Sequence, residues 1–147
     1  MIDFGTLPDL AARTFGGTVM AASDEFFADK ENLITPAAPT FQPHTFTPKG
    51  QQYDGWETRR RFGRTDGHDW VILRLGLAGV VRQLVVDTSF FVGNFPAECS
   101  VEGTCVAGYP SASELTGWFP LLGRSALAGD KANVFDVDVP WRVTHVR

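Results

Sequence analysis

The residue types best equipped for chemistry fall in three polar clusters between positions 54 and 96. The first is Asp54-Gly55-Trp56-Glu57-Thr58-Arg59-Arg60-Arg61, the second Gly67-His68-Asp69-Trp70, the third Asp87-Thr88-Ser89-Phe90-Phe91-Val92-Gly93-Asn94-Phe95-Pro96. They supply carboxylates (Glu57, Asp87), an imidazole (His68), guanidiniums (Arg59, Arg60), a hydroxyl (Ser89) and an amide (Asn94). A carboxylate and an imidazole can trade protons near neutral pH. A guanidinium can hold an anion in two-pronged fashion. Two apolar runs, Val71 to Leu75 and Val80 to Val86, separate the second cluster from the third. With Gly76-Leu77-Ala78-Gly79 as the turn, they predict an antiparallel hairpin. Such a hairpin carries both clusters to the same end of a sheet and makes one pocket.

Each residue also has a plainer reading. Asp54-Gly55 is a turn signal. Glu57 and Arg59 share a strand face and can form an ordinary surface ion pair, which is worth little. His68-Asp69 can cap a turn before the strand, and Asn94 can be only a turn residue before Phe95-Pro96. Asp87 has the stronger claim to function, because a carboxylate that follows an apolar run is costly without a partner. His145 shares one side of an alternating strand with Trp141 and Val143, which suits a packed strand residue as well as a site.

Several elements must position these groups. Leu7 to Arg13 reads as one short helix, with Thr6 as its cap and Gly16-Gly17 as its end. Thr18 to Ala22 follows as a strand. Ser23 to Ala28 reads as a capped turn with buried phenylalanines, or as a pocket rim that includes Asp24 or Glu25. Glu31 to Lys49 carries Pro36, Pro39, Pro43 and Pro48 and predicts a long ordered loop. Further strands are expected at Cys99 to Val106, at Trp118 to Leu122 (broken by Pro120), at Phe135 to Val139 and at Trp141 to Arg147. About eight short strands with turns between them predict an all-β sandwich or jelly roll with one short N-terminal helix.

Composition narrows the classes. The 147 residues suit one domain, 1–147, with 44% hydrophobic and 20% charged residues, near a globular average. A net charge of -4 argues against nucleic acid as a partner. No apolar run approaches the roughly 20 residues of a membrane helix, so no membrane partner is expected. The start Met1-Ile2-Asp3-Phe4-Gly5 has no signal-peptide pattern, which predicts a cytoplasmic protein. Cys99 and Cys105 read as two reduced thiols, or as a pair across a tight turn at Glu102-Gly103. No internal repeat is visible. The chain stops inside an expected strand, which predicts an open edge at Thr144-His145-Val146-Arg147, available to another chain.

Taken in order, Gly16-Gly17-Thr18-Val19, Ser23 to Ala28, Glu31-Asn32-Leu33, the three polar clusters and Thr144-His145-Val146-Arg147 resemble the allantoicase family. The likeness runs from about Gly16 to Arg147. It implies a jelly-roll, galactose-binding-like β-sandwich, of which this chain would be the first of two repeats, ending short of its closing strand. It implies hydrolysis of allantoate to ureidoglycolate and urea in allantoin degradation, with a small-molecule substrate. A homo-oligomer, or pairing with a second repeat, is expected. On that reading Glu57, His68 and Asp87 are catalytic. Arg59 or Arg60 holds the carboxylate, Asp87, Ser89 and Asn94 read a ureido group, and His145 joins the substrate site. No cofactor is certain. A divalent metal is possible, with Asp24, Glu25 and Asn32 as hard oxygen ligands. The alternative is a non-catalytic module that binds a carbohydrate or another small ligand, with Trp56, Trp70 and Trp118 stacking on a sugar ring.

Overall fold

The computed structural model describes residues 7–51, 54–61 and 67–147. Nine strands form among these residues: β1 (Thr18–Ala22), β2 (Phe46–Thr47), β3 (Gly50–Gln51), β4 (Val71–Val80), β5 (Gln83–Asp87), β6 (Glu98–Thr104), β7 (Phe119–Ala126), β8 (Ala132–Asp136) and β9 (Arg142–Val146). Five form one antiparallel sheet in the order β1-β4-β9-β6-β7. β5 pairs with β8, and the short β2 with β3. The core lies between the five-stranded sheet and the β5–β8 pair. Leu75, Leu121, Val137, Val143 and Val146 are its buried residues, with Leu73, Leu84 and Val101 packed against them. The architecture is the expected all-β sandwich, and no helix among the described residues is long and apolar enough to cross a membrane.

The predicted hairpin is not there. β4 runs through Gly76 and Gly79 as one strand, and β5 belongs to the other sheet. The glycines serve close approach rather than a turn. A Cβ on Gly76 would lie 2.2 Å from the Phe15 carbonyl oxygen. The N-terminal segment lies against β4 there, and the Leu10 carbonyl accepts from the Gly76 N–H at 2.8 Å. That bond takes the acceptor an α-helix would have used four residues on. The expected helix over Leu7 to Arg13 is therefore replaced by a 3₁₀ turn at Arg13–Phe15, closed by Gly16 at φ 106°. Its expected cap, Thr6, lies outside the described residues.

The open edge expected at the C-terminus is also absent. β9 is the middle strand, with β4 on one side and β6 on the other. Val143 and His145 are 0% and 1% exposed, as suits a central strand. Arg147 exchanges backbone bonds with Glu102, both at 2.9 Å. Pro120 sits inside β7, which tolerates it because β7 is an edge strand. Glu102-Gly103 lies within β6, so no tight turn brings Cys99 to Cys105. Six residues of strand set them roughly 20 Å apart, and both are free thiols.

Candidate active site

Because β4 and β5 run in opposite sheets, the start of one and the end of the other still meet at one end of the sandwich. A strap, residues 54–61, crosses that end. One margin of the strap is tied to the segment after β1. The Glu57 backbone pairs with Ala28 in an isolated bridge. The Trp56 indole N–H donates to the Asp24 carbonyl at 2.8 Å, and the Asn32 amide donates to the Gly55 carbonyl at 3.0 Å. Asp24 Oδ1 accepts from the Arg59 N–H at 2.8 Å and from Phe26 N–H at 3.0 Å.

Asp69 holds the strap to the start of β4. Its Oδ1 accepts from Ser23 Oγ at 3.0 Å and Arg61 Nη2 at 2.8 Å. Its Oδ2 accepts from Thr58 Oγ1 at 3.0 Å and Arg61 Nε at 3.3 Å. Burial pushes this carboxyl up, but the hydrogen bonds from Arg61, Thr58 and Ser23 and the Arg61 charge outweigh it and hold it below the usual carboxylate range. Ser23 adds a second link, accepting from the Trp70 N–H at 3.1 Å.

The other margin is the loop after β5. Buried Asn133 anchors its base, donating to the Val86 carbonyl at 3.1 Å and accepting from Ala128 N–H at 2.9 Å. Thr88 Oγ1 donates to the Ala128 carbonyl at 2.7 Å. Phe90 sits in the left-handed region, φ 69°, with its N–H on Asp130 Oδ1 at 2.8 Å. So held, the loop brings Asn94 Nδ2 to 3.2 Å from Glu57 Oε1.

The structure thus joins Glu57 and Asn94 directly. Glu57 and His68 each stand next to a member of the Thr58–Asp69 hydrogen bond. His68 is exposed, its carbonyl accepting from Arg61 Nη2 at 2.8 Å. No hydrogen bond links its imidazole to Glu57 or Asp87 among the described residues. Asp87 is exposed and accepts from the Ser89 N–H at 2.8 Å, so the burial cost that singled it out does not arise. Arg59 lies 4.2 Å from the Phe26 ring centroid, and Arg60 is exposed. His145 is not at this rim. It faces Arg74 across β4 and β9 and Thr104 across β6 and β9.

Asp69, Thr58, Ser23 and Arg61 are the positioning residues that sequence reasoning passed over. The signal was available, since Asp69 borders the apolar run of β4 just as Asp87 borders that of β5. Of the residues named as hard oxygen ligands, Asp24 accepts from the Arg59 and Phe26 N–H groups and Glu25 Oε2 accepts from the Lys30 N–H at 3.0 Å. No group of three or more His, Cys, Asp or Glu converges among the described residues. The three tryptophans differ in their surroundings, and Trp70 is exposed. Trp56 is half-buried, and the Trp118 ring lies 4.3 Å under the Arg147 guanidinium.

Comparison with known proteins gives a consistent result. The allantoicase repeat family matches residues 8–147. A protein named probable allantoicase from Nocardia farcinica is 50% identical over 147 residues, covering 98% of this chain and 44% of that protein. Another from Streptomyces avermitilis is 46% identical, covering 98% and 42%. The crystal structure of allantoicase from Saccharomyces cerevisiae superposes with a TM-score of 0.75 at 33% identity, covering 95% of this chain and 37% of that one. A second allantoicase structure gives 0.79 at 30%, covering 94% and 42%. The chain therefore spans less than half the length of the relatives it matches.

Proposed function

The chain belongs to the allantoicase family, and from that premise we propose that it works in the hydrolysis of allantoate to ureidoglycolate and urea, as the first of two repeats. Allantoate is a carboxylate on a carbon that bears two ureido groups. Its site needs a cation for the carboxylate, polar groups for the ureido N–H and C=O, a proton donor for departing urea and a base for water. Arg59 or Arg60 holds the carboxylate. Ser89, Asn94 and Asp87 read a ureido group. Glu57 and His68 exchange protons as urea leaves and water adds at the same carbon.

The single observation that carries this reading is the Asn94–Glu57 contact at 3.2 Å. It unites two segments 37 residues apart and leaves a carboxylate oriented by an amide, beside two guanidinium-bearing residues. The reading places the protein in the cytoplasm. The working unit pairs this repeat with a second one or with copies of itself, and the greater length of the relatives supports that pairing. Urea release from allantoate tests the proposal, measured for this chain alone and joined to a second repeat. Release that falls about a hundredfold in Glu57→Gln and His68→Ala is expected. No release from either form, or near-normal release from both variants, contradicts it.

A further inference from the structure

One carboxylate oxygen fixes two distant stretches of backbone at the strap. Asp24 Oδ1 accepts from the Phe26 N–H at 3.0 Å and from the Arg59 N–H at 2.8 Å. Asp24 and Arg59 are 35 residues apart in the chain. The Phe27 and Ala28 N–H groups reach the Glu57 carbonyl at 3.1 and 3.2 Å, so the two segments run alongside one another.

A side-chain contact accompanies that pairing. The Arg59 guanidinium carbon lies over the face of the Phe26 ring, 4.2 Å from its centroid. Phe27 meets the same ring edge-on, with centroids 4.8 Å apart and planes at 85°. The sequence suggested that both phenylalanines of this segment are buried, yet Phe26 is 44% exposed. Its ring serves a cation rather than the core. Among the described residues no carboxylate lies within ion-pair distance of the Arg59 side chain. Arg60 is equally exposed and has neither an ion pair nor a ring contact among those residues.

The kind of contact matters for what Arg59 can do. A carboxylate partner would occupy the two-pronged edge of the guanidinium. A ring face attracts the cation through its quadrupole and takes none of its N–H donors. Arg59 is therefore held in place with its donors free. Arg60 must be ordered by whatever it binds, which costs about two- to tenfold in affinity.

We propose that Phe26 is the positioning residue of Arg59, and that its ring selects Arg59 over Arg60 as the working guanidinium of the rim. The proposal rests on the reading of this rim as the allantoate site and adds to it a residue that touches no substrate.

Two measurements separate failure of the proposal from failure of that reading. The first needs no ligand. In this chain the ring current should shift the Arg59 side-chain signals, Nε–H included, upfield of those of Arg60. Phe26→Leu should abolish the difference and Phe26→Tyr should keep it. The second is urea release from allantoate by this chain joined to a second repeat. Phe26→Leu should raise KM about two- to tenfold with kcat within about twofold of wild type. Phe26→Tyr, which keeps the ring face, should return KM to the wild-type value. In an Arg59→Gln background Phe26→Leu should add nothing to the loss in kcat/KM, whereas in an Arg60→Gln background it should act in full. Arg59 signals that coincide with those of Arg60 overturn the proposal alone. So does an unchanged KM in Phe26→Leu, an equal rise in Phe26→Tyr, or an effect that survives Arg59→Gln. No urea release from wild type contradicts the allantoate reading, and this proposal falls with it.

Discussion

Removing the Asp69 carboxylate should unfasten the rim. In Asp69→Ala, two hydroxyls and the Arg61 fork lose their shared acceptor. The Asp69 side chain is 23% exposed and that of Arg61 is 34% exposed, so the ion pair is partly screened. About 1 kcal/mol for each hydroxyl bond and about 1 kcal/mol for the screened pair give a loss of about 3 kcal/mol. For a chain of this size that lowers the melting temperature by roughly 6–12 °C. The effect has a pH signature. The folded carboxyl sits below its ordinary value of 3.8, so the folded state binds its proton less readily than the unfolded chain. Its stabilisation is complete above 3.8 and fades as pH falls through the lower folded value. Urea melts of wild type and variant at neutral pH and in acid should therefore converge on acidification. A loss under about 0.5 kcal/mol at neutral pH, the range of ordinary surface changes, would refute the reasoning. So would a difference that grows in acid.

Asn133→Ala should cost about 2–4 kcal/mol, because it leaves several buried groups at the base of the 88–94 loop unmatched, and a denaturant melt reads this directly. Asn94→Ala should lower the rate of urea release while leaving stability within about 0.5 kcal/mol, since Asn94 is exposed and, among the described residues, its side chain bonds only Glu57. His145 has a folded pKa below its ordinary 6.5, so its contribution to stability is full above 6.5 and declines as pH falls below that value. Melts of His145→Gln between pH 7 and 5 should show a shallower decline than wild type.

Much of the fold was legible because burial on one face leaves alternation in the sequence. β1, β6 and β9 sit close to where Thr18 to Ala22, Cys99 to Val106 and Trp141 to Arg147 predicted them. The hairpin was misread because glycine has two uses. At 76 and 79 it admits the backbone of Phe15 and the side chain of Leu10, and only the folded N-terminal segment reveals that. The place of β9 was equally hidden, since no local pattern states which strands flank a given one. At the rim, the clusters holding Glu57 and Asn94 stood out as polar residues between apolar runs. The hub at Asp69 did not, because its partners Ser23 and Thr58 lie 46 and 11 residues away. Asp87 drew attention by following an apolar run, yet β5 ends at the surface and the carboxylate caps its own turn.

The central claim is that a ureido-bearing carboxylate sits where Asn94 meets Glu57. The most direct measurement is an amide-detected NMR titration of this chain with allantoate. The account predicts saturable shifts of the Asn94 side-chain amide and of the Arg59 and Arg60 backbone signals, with none at the Ser111–Glu114 turn. Unmoved Asn94, Arg59 and Arg60 signals in a folded chain would contradict it.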